Sequence, residues 1–471
     1  MDRAVKLAAV VLPGLLAVTL ILFARSWPWY FTNPQYLLGM IFLQVLLACL
    51  LFYDRAFFPL LMLVFLWAGL DLPMRESWTA GRWVVLGAGA LVGFVRALRM
   101  GVHRFSAFHL VASFCIGSAM VSALVSPAPQ LSLMKAFSLC LLFLYGASGA
   151  RLLLRQPDAF FRGLLLACEF SVYGSAFCYL VLGKEVWGNP NSLGAIQGVV
   201  VAPLLLWGAL VAQEKNLQLR RAAACLGSLG LVCFSVTRAA MLATCLAMLL
   251  LLIALRRHKL ILQGMMGALC VVALTAIITP SRFDTFKTSL VSGVIYKGHQ
   301  DQGILGSRLT PWQKTVQVIR ENPYFGSGFG TSFAGDKPFG EVQRLASTSA
   351  LREHGSSYLA IAEWVGLFGV LPFVVLVGLM VHAGWRVFVW VRRTGSPFHY
   401  SVPITMVVAA GLAHAAFEDW MFAVGYYMTV LFWTLAFLLM DILPEPVRER
   451  GTSVQGMRFR FATPPPAVVR Q

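Results

Sequence analysis

Apolar runs long enough to cross a lipid bilayer follow one another along most of this chain. A membrane-spanning helix needs about 20 apolar residues. Fourteen candidate spans are present: 4–25, 36–53, 55–71, 83–95, 105–126, 132–150, 159–182, 193–213, 221–235, 239–255, 259–279, 357–384, 401–416 and 420–440. Because every backbone polar group in lipid needs an internal partner, such runs fold as helices. The sequence therefore predicts an all-α, polytopic membrane bundle of about twelve to fourteen transmembrane helices.

The composition excludes two other classes of protein. Hydrophobic residues make up 58% of the 471 residues and charged residues only 12%, whereas soluble domains carry about 25% charged residues. A soluble globular protein is excluded, and so is a disordered chain, because the apolar content is far too high. The nine cysteines all lie in apolar stretches without Cys-x-x-Cys spacing, so they indicate neither a metal site nor a disulfide framework.

The net charge of +18 is explained by membrane topology. Cytoplasmic loops of membrane proteins are enriched in Lys and Arg. With the N-terminus in the cytoplasm, 23 of the 38 basic residues fall on cytoplasmic segments, six fall on short external turns or nearby helix ends, and nine lie in the loop 280–355. Both termini are therefore predicted to be cytoplasmic, and the positive charge does not indicate a nucleic-acid partner.

The spans and loops divide the chain into five segments. They are N-terminal transmembrane helices at 1–183, core transmembrane helices with the Arg238 turn at 184–279, a large external loop at 280–355, C-terminal transmembrane helices at 356–442, and a cytoplasmic, disordered tail at 443–471. A loop as long as 280–355 usually has a function.

The external loop carries a helix signal and a glycine-rich turn. Thr310 as N-cap and Pro311 in the first turn predict the start of a helix, and Asn322-Pro323 predicts its end. The turn Gly326-Ser327-Gly328-Phe329-Gly330 is either a phosphate-binding loop or an ordinary flexible turn. The first interpretation is weak, because a P-loop lysine and a strand–loop–helix context are both missing.

Three charged or titratable residues at the predicted outer boundary are candidates for chemistry. Arg238 lies at the outer turn of the hairpin 221–257, where it either has a task or snorkels to the headgroups. Arg308 precedes the loop helix and, taken alone, is an ordinary solvated charge. His354 is the last polar residue before a span. It either accepts a proton near neutral pH or is a surface histidine that caps the next helix.

Polar residues on the same side add to this set. Asn189-Pro190-Asn191-Ser192 precedes a span, and Glu418-Asp419 lies between the last two spans, where it either orients a basic residue or a sugar, or is a solvated turn. One topology places all these positions at the outer membrane boundary. Two guanidiniums can bind a diphosphate in forked geometry, and a nearby histidine can take a proton from an attacking hydroxyl.

In this order, the motifs resemble those of the O-antigen ligase and polymerase superfamily of bacterial membrane glycosyltransferases. The matching segments are Asn189-Pro190-Asn191, Ser235-Val236-Thr237-Arg238, Ser307-Arg308 with Trp312, Asn322 to Gly328, His354 to Leu359, and Glu363 to Gly369. Members typically carry a His-Asn-x-x-Leu segment, and Gly355 stands here in place of the asparagine. The resemblance is strongest over residues 185–370.

The resemblance implies a reaction and roles for individual residues. Such proteins transfer glycans from undecaprenyl diphosphate at the periplasmic face of the inner membrane, with inversion and without a metal or other cofactor. The acceptor is lipid A-core, a second lipid-linked glycan or a protein. By this analogy Arg238 and Arg308 bind the diphosphate, and His354 activates the acceptor hydroxyl or orients the donor. Further substrate contacts are expected from Asn189, Asn191, Tyr358 and Glu418.

Two other functions remain as alternatives. A transporter or flippase without covalent chemistry usually has inverted repeats and charged residues in mid-membrane, whereas this sequence has no evident repeat and few such residues, Glu169 among them. An intramembrane serine protease is a remote alternative suggested by Gly355-Ser356-Ser357, which lacks a Gly-x-Ser-Gly pattern.

Overall fold

The computed structural model describes most of the chain from residue 54 onward. The described residues are 42, 46, 54–69, 75–100, 105–181, 183, 187, 190–278, 305–331 and 353–445. The predicted spans 4–25 and 36–53 lie outside them, apart from Phe42 and Leu46, and so do Asn189, most of the loop 280–355 and the tail after 445.

This part of the chain is helical and contains no strand. Its helices are α1 (Asp54–Gly69), α2 (Arg75–Met100), α3 (Ala107–Leu124), α4 (Pro129–Ala147), α5 (Pro157–Leu180), α6 (Pro190–Val211), α7 (Lys215–Phe234), α8 (Arg238–Ala254), α9 (His258–Ile278), α10 (Gly306–Glu321), α11 (Ser357–Thr394), α12 (Ser401–Ala415) and α13 (Tyr427–Asp441). The prediction of an all-α polytopic bundle is confirmed.

Six described helices are long and apolar enough to cross a membrane: α3, α4 with the 3₁₀ turn that follows it, α5, α6, α7 and α11. Most of α1, together with α8, α12 and α13, is apolar but shorter. A helix of 15 residues such as α12 is about 22 Å long, less than the roughly 30 Å of a hydrocarbon core. Because six described helices are long and apolar enough to cross the bilayer, the protein is a multi-pass membrane protein.

Two helices form the centre of the bundle. The hydropathic stretch of α6 is 89% buried, and every residue of α13 from Tyr427 to Leu439 is buried. A helix that is apolar on all sides is buried either among other helices or in lipid, and here other helices surround both. Residues 196–201 of α6 form a π-helical turn, a local irregularity that often occurs near functional sites.

Most predicted spans agree with helices to within a few residues, but several predicted boundaries were wrong. Helix α11 ends at Thr394 and not at 384, and α7 begins at Lys215 and not at 221. The predicted span 420–440 begins only at Tyr427, because residues 416–426 form a loop. Helix α2 is longer than the predicted span 83–95 at both ends. The loop helix begins at Gly306 and not after Thr310. Pro311 is tolerated inside it, because near the first turn only one carbonyl loses its helical partner.

Helix α11 is broken near its N-terminal end. Gly366 has φ 66° and ψ −175°, which is not a helical conformation. A short helix therefore ends before it and a long helix begins after it. The N–H groups freed by the break are not lost, because Leu367 donates to the carbonyl of Pro323 at 2.8 Å and Phe368 donates to that of Tyr324 at 3.2 Å. The loop after α10 thus replaces the missing helical partners.

The carbonyls freed by the same break are satisfied by the glycine-rich turn. Ser327 N–H donates to the carbonyl of Glu363 at 2.9 Å, and Gly328 N–H donates to that of Trp364 at 3.2 Å. Ser122 of α3 donates a further bond to the Trp364 carbonyl. A helix break inside a membrane protein is stable only when neighbouring groups re-satisfy the backbone, and here the loop after α10 does so.

Candidate active site

Arg238 is the first residue of α8 and follows a tight turn. The turn contains Val236 with φ 53°, which is rare for a β-branched residue. The hydroxyl of Ser235 donates to the carbonyl of Val232 at 2.7 Å and lies 3.1 Å from the hydroxyl of Thr237. The predicted hairpin with Arg238 at its turn is therefore confirmed, and local hydrogen bonds hold the turn in shape.

The turn before Arg238 contacts the start of α6. Thr237 Oγ1 lies 3.4 Å from Oδ1 of Asn191 and donates at the same distance to the carbonyl of Pro190. Asn191 is exposed on the first turn of α6. This predicted substrate contact therefore lies directly beside Arg238, while Asn189 lies outside the described residues.

Arg238 and Arg308 come together through Ser307. The Nη2 of Arg238 donates to the hydroxyl of Ser307 at 2.9 Å, and Arg308 is the next residue of α10. The two guanidiniums lie close enough for their like charges to repel each other. Two guanidiniums from α8 and α10 thus share one end of the bundle, which the sequence spacing alone did not establish.

Arg308 is not a solvated loop charge. Its side chain is only 13% exposed and forms ion pairs through Nη1 with Glu353 and through Nη2 with Glu418. Of the interpretations left open for the Glu418-Asp419 pair, the structure supports the orientation of a basic residue. The Glu418 side chain is 18% exposed, whereas that of Glu353 is 59% exposed.

His354 is buried between two carboxylates. Its Nδ1 lies 3.1 Å from Oδ2 of Asp419, and its Nε2 lies 3.4 Å from Oε1 of Glu363. The backbone N–H of His354 donates to the same Asp419 oxygen at 3.0 Å. The residue is 1% exposed and packs edge-on against Trp364. The alternative of a surface histidine that merely caps a helix is therefore wrong.

The two carboxylates favour the charged imidazolium. Burial by itself lowers the pKa of His354, but the contacts with Asp419 and Glu363 outweigh it, so the pKa lies above its usual value. Burial likewise raises the pKa of Asp419, but the bonds from His354 outweigh it, so that pKa lies below its usual value. These contacts thus favour a protonated histidine beside an ionised aspartate.

Gly355 is required by its backbone conformation and by its neighbours. Its φ is 68°, a left-handed value that favours glycine. A Cβ there would lie 3.2 Å from Nε1 of Trp312 and 3.3 Å from Cδ of Arg308. Trp312 also donates to the Gly355 carbonyl at 3.0 Å. Glycine in place of the family's asparagine thus lets α10 pack closely on the segment that carries His354.

The loop between α12 and α13 is anchored on the start of α11. The hydroxyl of Ser357 donates to the Glu418 carbonyl at 2.7 Å and accepts from the N–H of Met421 at 3.0 Å. The Ser357 N–H donates to the same carbonyl at 3.0 Å. This serine therefore holds the loop that presents Glu418 and Asp419, a role unlike that of a protease nucleophile.

Two other candidate features have structural partners. The hydroxyl of Tyr358, a predicted substrate contact, donates to the carbonyl of Leu412 at 2.8 Å and so links α11 to α12. In the glycine-rich turn, the N–H groups of Ser327 and Gly328 bond the carbonyls at the α11 break. The turn therefore stabilises the break in α11, and these two N–H groups do not point into a phosphate site.

Asp419, Glu363 and Glu353 complete the site, and none was among the predicted site residues. Glu363 carries a signal that was available, because an ionisable residue within an apolar run is a functional candidate by itself. Asp419 was noted only as a neighbour of Glu418. Among the residues described, no group of three or more His, Cys, Asp or Glu is arranged to hold a metal ion.

Comparison with known proteins covers the central part of the chain. Residues 223–374 match the model of the O-antigen ligase family, and this range holds Arg238, Arg308, His354 and Glu363. No curated protein matches the chain. The family match indicates a function of the O-antigen ligase or polymerase type. It confirms, over its central part, the resemblance of this chain to the O-antigen ligase-like superfamily of bacterial membrane proteins.

Proposed function

We propose that this protein is a membrane glycosyltransferase that moves a glycan from undecaprenyl diphosphate to an acceptor hydroxyl. The observation that carries the proposal is the pair Arg238 and Arg308, joined through Ser307 at one end of the bundle and next to the buried His354. The bond that breaks joins the anomeric carbon to a phosphate oxygen, so negative charge grows on the diphosphate as it leaves. Two guanidiniums aimed at that charge lower the barrier.

The ion pairs of Arg308 are compatible with this role. A guanidinium has five N–H donors, and two carboxylates occupy only part of them. The Glu353 side chain is 59% exposed, so it is the partner that yields most readily to an incoming phosphate. Glu418 is held more firmly, because its backbone carbonyl accepts two bonds from Ser357. The fixed carboxylate keeps Arg308 oriented while the exposed one makes room.

We place the reaction at the periplasmic face of the inner membrane. Arg238 begins α8, whereas Arg256 and Arg257 follow its other end. Basic residues of short loops favour the cytoplasm, so the end with Arg256 and Arg257 faces the cytoplasm and the site faces the periplasm. Both termini are then cytoplasmic. The reaction is proposed to be inverting and to need no metal or other cofactor, because the guanidiniums supply the charge stabilisation.

Reconstitution tests the proposal directly. Purified protein in liposomes is mixed with undecaprenyl-diphosphate glycan and, in separate reactions, with lipid A-core, a second lipid-linked glycan or a candidate acceptor protein. EDTA is present throughout. A product with one acceptor supports a metal-independent transferase and identifies its type. Binding of the lipid without any product from folded protein contradicts it and favours the transporter or flippase alternative.

A conservative variant tests the forked contact of Arg238. Arg238→Lys keeps the charge but loses the planar fork, so we expect a strong loss of transfer. Arg257→Lys, beyond the other end of the same helix, is the matched control and should transfer normally. Normal turnover of Arg238→Lys would mean that Arg238 only snorkels to the headgroups.

A further inference from the structure

The ring of His354 has no open nitrogen for an acceptor hydroxyl in this arrangement. Its Nδ1 faces Asp419 at 3.1 Å and its Nε2 faces Glu363 at 3.4 Å, from two different segments. The side chain is 2% exposed. A general base must come within hydrogen-bond reach of the proton that it takes. A hydroxyl that approached the ring would first have to displace a buried carboxylate.

The charge on the ring points the same way. The groups that face His354 are Glu363 from α11 and Asp419 from the loop before α13, and both are acidic. The next charges outward, Arg308 with Glu353 and Glu418, neutralise one another in part. The two acids raise the pKa of His354 above its usual value and so favour the protonated ring. An imidazolium cannot accept another proton.

Asp419 is the member of this cluster that reaches the surface. Its side chain is 23% exposed, against 2% for His354 and 0% for Glu363. Both bonds from His354, that of the backbone N–H and that of Nδ1, use Oδ2. The second oxygen, Oδ1, takes no part in them. Glu363 holds the ring of His354 in place, and the ring and the backbone N–H of His354 together hold the Asp419 carboxylate through Oδ2. Oδ1 of Asp419 stays outside these two bonds.

We propose that Asp419 is the catalytic proton acceptor and that His354, held by Glu363, is a positioning residue that orients the Asp419 carboxylate. This inference rests on the transferase function proposed above. The acceptor oxygen forms a bond to the anomeric carbon while the bond from that carbon to the diphosphate breaks. The electron pair leaves with the diphosphate, toward Arg238 and Arg308. The hydroxyl proton passes to Asp419 Oδ1.

A carboxylate with a low pKa is sufficient for this step. A hydroxyl becomes strongly acidic once its oxygen has begun to bond to carbon, so the proton is transferred late and to a weak base. Inverting glycosidases use a carboxylate as the base in the related attack of water on an anomeric carbon. The positive ring of His354 holds the Asp419 carboxylate ionised, and therefore ready, at neutral pH.

The pH profile of the wild-type protein distinguishes the two possible bases. With Asp419 as base, transfer is constant through neutral pH and falls at alkaline pH, as His354 loses one of its two ring protons and with it the hydrogen bond to one of the two carboxylates. With His354 as base, transfer instead rises with pH as the ring deprotonates and then levels off. The initial rate is measured from pH 5 to 9.5 in the reconstituted assay. A rising limb with a plateau would overturn the inference.

Two variants separate position from catalysis. Asp419→Asn should lose transfer by about 10²- to 10⁴-fold, with binding of the lipid-linked donor unchanged. His354→Asn places an amide N–H near the position of Nδ1, so it should keep measurable transfer and lose the alkaline limb. An Asp419→Asn protein that keeps more than a tenth of the wild-type rate, or an inactive but folded His354→Asn protein, would contradict the proposal.

Rescue by a small carboxylate gives an independent readout. In Asp419→Ala, added formate should restore part of the transfer, because it can occupy the space of the missing carboxylate and take the proton. The same formate should not accelerate Arg308→Lys, in which the base is intact. Absence of product from the wild-type protein would overturn the transferase function and this inference together. Product from the wild type without formate rescue would count against Asp419 alone.

Discussion

Two clusters of charged side chains lie at opposite ends of α13, and they are built differently. At the far end, Asp441 accepts two bonds from one residue, Arg151, from Nε at 2.8 Å and from Nη2 at 2.9 Å. His109 lies 3.1 Å from the same Nη2. At the near end, the loop before α13 holds Glu418 and Asp419, which bind Arg308 and His354.

The difference lies in how the pairs are shared. Arg151 and Asp441 satisfy each other in bidentate geometry, which is strong and leaves little to exchange. Arg308 instead divides its nitrogens between two carboxylates from different segments, one of them largely exposed. Both bonds from His354 likewise use a single oxygen of Asp419. The first cluster ties the helices together, whereas the second has groups that a ligand can take over.

A large effect is expected at Arg308. Arg308→Lys replaces a fork by a point charge that cannot contact Glu418 and a diphosphate together. We expect kcat/KM for transfer to fall by about 10²- to 10³-fold, measured from initial rates in liposomes. Arg320→Lys, exposed on the same helix, is the control and should match the wild type. If the Arg308 variant were as active as the wild type, both clusters would have only a structural role.

A smaller effect is expected at Gly366, where the loop after α10 stabilises the break in α11. Gly366→Ala puts a Cβ about 2.4 Å from the carbonyl oxygen of Tyr324, at a φ of 66°. We expect a loss of stability of about 1–3 kcal/mol and slower transfer, because the segment that carries Glu363 shifts. Thermal unfolding and initial rates measure both. Gly378→Ala, where a Cβ meets nothing within 4 Å, should be neutral.

A substitution in the cluster of Arg151 and Asp441 should lower stability and leave activity unchanged. Arg151→Lys loses the bidentate contact with Asp441, so the protein should lose about 1–3 kcal/mol of stability. Its kcat/KM at a temperature where it stays folded should equal that of the wild type. Unfolding curves and rates on the same preparation test this. A folded Arg151→Lys protein without transfer would show that the far cluster also serves the reaction.

The smallest effect is expected at the exposed partner of Arg308. Glu353→Gln removes the carboxylate that competes with the diphosphate. Since exposed ion pairs contribute little, we expect KM for the donor to fall by only about two- to fivefold, with kcat nearly unchanged. Glu321→Gln, exposed at the end of α10, is the control. A rise of KM in the Glu353 variant would instead mean that this carboxylate assists donor binding.

The sequence alone predicted most of the helices and the turn at Arg238. The predicted span 401–416 is the helix Ser401–Ala415, and 239–255 is Arg238–Ala254. Runs of apolar side chains and the polar residues that interrupt them are local properties, so a single sequence carries them. The three candidates Arg238, Arg308 and His354 were found in the same way, as charged or titratable residues beside such runs.

The break in α11 was not predictable from its sequence. The run around Gly366 is as apolar as an unbroken span, and its glycine is ordinary for a membrane helix. The break is stable only because the loop after α10 supplies partners for the freed backbone groups. The apolar run 357–384 predicted a continuous span for the same reason: no local pattern encodes a distant partner.

Most helix spans and the charged candidates were therefore determined by the sequence, because hydrophobic burial depends on each residue and its near neighbours. The tertiary structure decided which charges meet. His354 finds Asp419 65 residues further along the chain, and Arg308 finds Glu418 110 residues further along. Such pairs form because burial removes water from both partners and each charge must then be matched by whatever the packing brings near.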